Sequence, residues 1–141
     1  MAGVKLGAKA QEEVDFLENV LKQISHLAAL AEQFAGAKQK GAMDMYLSQI
    51  TRTLTHLRQT AMIKNLGFVA DAAGMLGVAA MRGSQVQRTR VLREGMMSLK
   101  QLVERTMKAT VDADHRERAE KEKELAAEKA AAAAKPAEGG H

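Results

Sequence analysis

Apolar residues recur along this chain at alternating steps of three and four, the spacing that places them on one face of an α-helix. The first such run covers about residues 10–35 and the second about residues 43–65. Residues 35–42 between them hold two glycines and two lysines and predict a turn. Because this connection is short, we expect the two helices to be antiparallel neighbours. Their apolar seams are Val14, Leu17, Leu21, Ile24, Ala28 and Ala31 in the first, and Met43, Leu47, Ile50, Leu54, Leu57 and Ala61 in the second.

The stretch that follows, residues 66–81, is almost entirely apolar and predicts a third helix after a kink at Gly67. Asp71 is its only charged residue. Large apolar side chains point all round this helix, which is typical of a helix that is central in the core or covered by a partner. One side is nearly bare, so another helix of this chain or of a second molecule is expected to pack closely against it. This small-residue face consists of Gly67, Ala70, Gly74 and Gly77.

A fourth helix is predicted after Ser84, which is a candidate N-cap. Its apolar seam runs from Leu92 to Thr106. From about Val111 onward there is no seam, and the sequence becomes charged and then alanine-rich. We therefore expect this helix to project from the bundle and to become disordered near Pro136. The predicted fold is an all-α, up-and-down four-helix bundle. Its predicted parts are a flexible N-terminus at 1–9, the bundle at 10–110, and a charged helical extension with a disordered tail at 111–141.

Composition supports this fold and excludes several kinds of chemistry. The chain has one proline and aromatic residues make up 3%, so helix formers dominate throughout. There is no cysteine, which excludes disulfides, thiolate metal sites and cysteine nucleophiles. The N-terminal sequence lacks the apolar core of a secretory signal, and residues 66–81 are shorter than the ~20 residues of a membrane span. These features predict a cytoplasmic protein without a membrane span.

Charge is distributed unevenly between the helices. Residues 10–36 carry five acidic residues and one basic residue, whereas residues 82–108 carry seven basic and two acidic residues. The first and fourth helices should therefore attract one another. A basic patch on the fourth helix could also meet nucleic acid, but aromatic residues are missing from it and the acidic first helix competes. Membrane-surface binding by the methionine-rich third helix is a further alternative. The patch consists of Arg82, Arg90, Arg93 and Lys100.

The four histidines are candidate functional groups. His26 lies beside the first seam and is expected to be half-buried, whereas His115 and His141 are expected to face solvent. No pair has the i,i+3 or i,i+4 spacing with carboxylates that a helical metal site needs, so neither a metal site nor a cofactor is expected. Nucleophile triads, phosphate-binding glycine loops and paired catalytic carboxylates are also not visible. The sequence therefore does not predict an enzyme.

His56 is predicted to lie on the solvent side of the second helix, opposite the Leu54/Leu57 seam. Residues 54–67, LTHLRQTAMIKNLG, together with FLEN at 16–19, resemble histidine-containing phosphotransfer domains. This resemblance implies a four-helix bundle in which His56 accepts a phosphoryl group from an aspartyl phosphate or a kinase domain. It also implies Arg58 or Lys64 near the phosphoryl oxygens. The family places Lys three residues after the histidine and Gly four and ten residues after it; this chain has Gln59, Thr60 and Leu66 there.

The sequence thus predicts a non-catalytic adaptor or assembly module that acts through protein–protein interaction. The expected surface is the small-residue face with Asp71, and the expected partner is another protein or a second copy joined through this helix or through the C-terminal extension. The alternative is a phosphotransfer signalling module with His56 as acceptor.

Overall fold

The structure is a computed structural model that describes residues 6–139, with side chains described for residues 6–133. It contains four helices: α1 (Ala8–Gly36), α2 (Lys40–Ile63), α3 (Gly67–Ala79) and α4 (Gln85–Gly139). No strand occurs within these described residues. The all-α prediction is confirmed. Residues 1–5 of the predicted N-terminal segment, and His141, lie outside the described part of the chain.

The helices form an up-and-down bundle, as the seams predict. α2 lies antiparallel to α1, with Lys64 beside Glu12, and α3 lies antiparallel to α2. α3 then packs on α4, and α4 returns to pack along α1. α1 and α3 are diagonally opposite, as are α2 and α4, and in the described residues the Cα atoms of each diagonal pair stay more than 8 Å apart.

All four helices contribute to the core, and its largest side chains come mainly from α1, α2 and α4. In α1, Val20, Leu27 and Phe34 are buried in the core, whereas Leu21 and Ala28 of the predicted seam are only partly buried. His26 is exposed, so the half-buried position predicted for it is wrong. The buried side of α1 is centred on Val20, Leu27 and Phe34, and His26 lies outside it. The largest fully buried side chains are Phe34, Leu17, Leu27, Ile50, Leu54, Leu57, Leu92, Leu99, Val20, Val69 and Val103.

The connections at either end of α3 are tight turns rather than kinks. Asn65 adopts a φ of 59°, a left-handed conformation that asparagine tolerates, and the Leu66 amide donates to the Ala61 carbonyl at 2.9 Å. At the other end Ser84 caps α4 as predicted: its hydroxyl accepts from the Gln87 amide at 3.2 Å. The Gln87 side chain in turn accepts from the Ser84 amide at 2.8 Å. This reciprocal capping box fixes where α4 begins.

α4 holds α1 at both of its ends. The Gln85 side-chain amide donates to the carbonyls of Phe34 and Ala37 at 2.8 and 2.7 Å, which satisfies acceptors that the end of α1 leaves free. At the opposite end the Gly7 amide donates to both carboxylate oxygens of Asp114 at 3.3 Å. Gln85 and Asp114 are 29 positions apart, which matches the 29 residues of α1. The sequence did not reveal these two tertiary caps.

α4 continues well beyond the bundle. Arg118 is the last of its residues that is partly buried, and residues 119–133 are all exposed, in agreement with a projecting charged helix. The stretch from Arg118 to Gly139 is about 32 Å long at 1.5 Å per residue. The sequence predicts disorder near Pro136, but the structure keeps α4 helical to Gly139, after a run of alanine, the strongest helix former. His115 is partly buried with its Nε2 atom enclosed, not solvent-facing as predicted.

Candidate functional site

α3 presents a row of large apolar side chains to solvent. Phe68, Met75 and Val78 are 84%, 72% and 62% exposed, and Met81 just beyond the helix is 63% exposed. At 100° per residue the first three project from one side of the helix, opposite the buried Val69, Ala73 and Leu76. Phe68, Asp71, Met75 and Val78 are called the α3 outer face below.

The small-residue face of α3 packs against α2 of the same chain. Ala70 is buried, and a Cβ atom on Gly74 would lie 3.1 Å from Cδ of Arg58. A Cβ on Gly77 would lie 3.9 Å from Cβ of Leu54. Only Gly67, at the first turn, has open space around it. The close packing predicted for this face is therefore made within the chain, and the surface open to a second molecule is the α3 outer face instead.

Asp71 lies in the middle of the α3 outer face and is exposed. Within the described residues it makes no ion pair and its side chain makes no hydrogen bond. Arg58 flanks this face from α2, where its aliphatic stem lies over Gly74, and its guanidinium likewise has no acidic partner. The surface thus combines three apolar side chains with one carboxylate and one guanidinium that are both unpaired.

Two grooves border the α3 outer face. The groove towards α4 has a volume of about 530 Å³ and is lined by Ala72, Met75, Ala79, Val91, Leu102 and Arg105, among others. The crevice towards α2 is smaller, about 200 Å³, and lies where Gly74 and Gly77 leave the backbone bare. Val78 and Met81 line its outer edge. The outer face is therefore a ridge of apolar side chains between two depressions that can receive side chains.

α3 is not central in the core, which was one of the two positions expected for a helix that is apolar on all sides. Val69, Ala70, Ala73 and Leu76 are its buried residues, and like each of the other helices α3 packs against two neighbours, here α2 and α4. A helix that is apolar on all sides but occupies a corner of a bundle must expose part of its apolar surface.

The predicted basic patch does not form one continuous free surface. Arg93 is paired with Glu32 of α1, with its Nε and a terminal nitrogen 2.7 and 2.6 Å from the two carboxylate oxygens. Hydrogen bonding from Arg93 lowers the pKa of Glu32, and the same bond raises the pKa of Arg93. Arg90 and Lys100 are exposed on α4, and Arg82 lies in the turn before it. Within residues 6–133, the predicted attraction between α1 and α4 is realised at the Arg93–Glu32 ion pair.

His56 is exposed on α2, as predicted, and Arg52 one turn earlier lines the same shallow surface. The two cations expected near a phosphoryl group lie elsewhere. Arg58 is turned towards α3, and Lys64 binds Glu12 at 2.9 Å on the α1 side. Arg52 is thus the cation on the His56 surface, and the sequence reasoning did not single it out.

Among the described residues, no group of three or more histidine, aspartate or glutamate side chains is arranged to hold a metal ion. None of the described helices is long and apolar enough to cross a membrane. Comparison of the chain with protein-family models, curated proteins and solved structures finds no match.

Proposed function

We propose that this chain is a non-catalytic assembly module that binds another protein through the α3 outer face. The observation that carries this proposal is the exposure of Phe68, Met75 and Val78 side by side on one short helix. Single exposed apolar residues are common on protein surfaces, but a contiguous apolar ridge with polar groups beside it is typical of an interaction site. Aromatic residues and methionine are enriched at such interfaces, and the flexible methionine side chain adapts to irregular partners.

Site-specific photo-cross-linking in cells tests this proposal. A photo-reactive residue replaces Met75 on the α3 outer face or, as a matched control, Met97 on the outer side of α4. These two methionines are exposed to similar extents, 72% and 65%. We expect protein adducts from position 75 and few or none from position 97. Equal yields at the two positions, or no adduct at position 75, would contradict the proposal.

A phosphotransfer role is a second candidate, favoured by the exposure of His56 in the middle of α2 within a four-helix bundle. In this reaction an imidazole nitrogen attacks the phosphorus of an aspartyl phosphate, and the aspartate carboxylate leaves. Arg52 is the side chain placed to interact with the phosphoryl oxygens. Incubation with phosphorylated receiver domains should label the wild-type chain and not the His56→Gln variant. Absence of labelling by a panel of receivers would eliminate this candidate.

A further inference from the structure

We propose that the partner on the α3 outer face is a second copy of this chain, packed so that the two α3 helices are antiparallel about a two-fold axis. This inference rests on the proposed function, because it uses the same surface and identifies its occupant.

Asp71 restricts what can cover the α3 outer face. It is exposed at the centre of an apolar ridge and has no ion-pair partner among the described residues. A purely apolar cover, including a lipid surface, would strip water from the carboxylate without replacing its hydrogen bonds, which is costly. The occupant must therefore bring a cation to this position as well as an apolar surface. Arginine meets both needs, because its guanidinium binds carboxylates and its stem packs on apolar groups.

Arg58 occupies the complementary position on the same surface. Its Cδ lies 3.1 Å from where a Cβ on Gly74 would be, so the side chain crosses α3 at the level of Gly74. Asp71 is three residues away along α3, a distance of about 4.5 Å along the helix axis. A two-fold axis midway between these levels places Asp71 of each copy opposite Arg58 of the other. A two-fold interface is reciprocal, so the arrangement forms two ion pairs and leaves neither carboxylate unpaired.

The apolar side chains fit the same arrangement. With the axis midway between Asp71 and Gly74, Phe68 of one copy lies opposite residues 75–79 of the other. Met75 and Ala79 in that segment line the groove of about 530 Å³ between α3 and α4, which can receive an aromatic ring. Contacts between a methionine sulfur and an aromatic ring are favourable. In this one orientation, therefore, the apolar ridge of each copy meets the groove of the other, and Asp71 of each copy meets Arg58 of the other.

Charge reversal followed by mixing tests this inference on the full chain. In the Asp71→Arg variant each copy faces two arginines across the interface, and in the Arg58→Glu variant two acidic groups face each other. We expect each variant alone to be monomeric, with a dimer dissociation constant raised at least about tenfold over wild type because like charges are juxtaposed. An equimolar mixture of the two restores both ion pairs, so heterodimers should form with near wild-type affinity. Sedimentation velocity with one variant fluorescently labelled measures this directly.

Arg52→Glu is the matched control, because it makes the same charge change on the outer side of α2, away from α3. It should dimerise as wild type does, and circular dichroism should show that all variants are folded. A wild-type chain that is monomeric at high concentration would overturn the second copy as the occupant. Failure of the mixture to form heterodimers would also overturn the proposed dimer. Mixing restores the Asp71–Arg58 pairs only if they form between two copies and not within one chain. Neither result affects adducts to other proteins at position 75, so failure here is distinguishable from failure of the proposed function.

Discussion

The α1–α4 pair and α3 differ in how an apolar sequence is used. α1 and α4 alternate apolar and charged residues, and they are fixed together by the Gln85 and Asp114 caps and by the Arg93–Glu32 ion pair. α3 is far more apolar, yet two of its four buried residues are alanines and it presents three large side chains to solvent. Hydrophobicity of a segment therefore does not by itself indicate burial, and an excess of exposed apolar surface on one side of a helix is typical of an interaction site.

The largest expected difference between the two regions is in stability, and two phenylalanines provide a matched test. Phe34 at the end of α1 is 1% exposed, whereas Phe68 on α3 is 84% exposed. Phe34→Ala should lower the free energy of unfolding by roughly 3–5 kcal/mol through lost burial and a cavity. Phe68→Ala should change it by less than about 0.5 kcal/mol. Urea unfolding in an Asp71→Arg background, where association does not contribute, measures both; similar losses would contradict the outward orientation of α3.

The packing of α3 on α4 is tested by Gly95. A Cβ at this position would overlap the Leu76 methyl groups of α3, so Gly95→Ala forces a buried side chain to move. Overpacking of this kind costs about 1–3 kcal/mol, offset in part by the ~0.5–1 kcal/mol that alanine gains over glycine in a helix. We expect a net loss of stability in urea unfolding. Gly41→Ala in α2 is the control, because open space surrounds it, and it should be neutral or stabilising.

The cap at the start of α1 should have a smaller effect. Asp114→Ala removes the acceptor for the Gly7 amide and the partner of Arg118, and should cost about 0.5–2 kcal/mol, the range for loss of a helix cap. Hydrogen exchange of the first turn of α1 should become faster. Asp112→Ala, two positions earlier on an exposed side of α4, should change neither quantity appreciably. Equal effects of the two substitutions would show that Asp114 does not anchor α1.

The smallest expected effect is the pH dependence of the Arg93–Glu32 ion pair, since both side chains are exposed. The pKa of Glu32 is lower in the folded chain than its ordinary value of 4.5, because Arg93 binds the ionised form. The ion pair therefore stabilises the folded chain at pH values above the ordinary pKa of Glu32. This stabilisation is lost as the pH falls through the lower pKa that Glu32 has in the folded chain. Unfolding of Glu32→Gln should differ from wild type at neutral pH and converge with it in acid. Glu18→Gln, on the same helix and without an ion-pair partner in the described part of the chain, should show no such difference.

The amphipathic seams of α1, α2 and α4 and the apolar run of α3 were sufficient to predict the four helices, their antiparallel order and the projecting end of α4. Burial of a stripe at helical spacing has few solutions. Ser84 was predictable as a cap because its partner is only three residues away. The tertiary caps made by Gln85 and Asp114 were not predictable, because their hydrogen-bond partners lie about 50 and 107 positions away along the chain.

The side of α3 that faces solvent was also hidden from the sequence. Its helical wheel carries large residues all round, so the pattern gives no preferred inner side. The bare side formed by Gly74 and Gly77 correctly indicated close packing, but the sequence did not distinguish α2 from a second molecule as the neighbour. The sequence places Arg58 next to Leu57 of the α2 seam. It did not predict that the Arg58 side chain covers Gly74 of α3.

Protection of a single thiol tests the central claim, that the α3 outer face is covered by a second copy while the outer side of α4 is not. The chain contains no cysteine, so Met75→Cys and Met97→Cys each introduce a unique reporter at a similarly exposed position. As protein concentration rises through the range of dimer formation, the alkylation rate at position 75 should fall while that at position 97 stays constant. Rates that stay equal at every concentration would contradict the account.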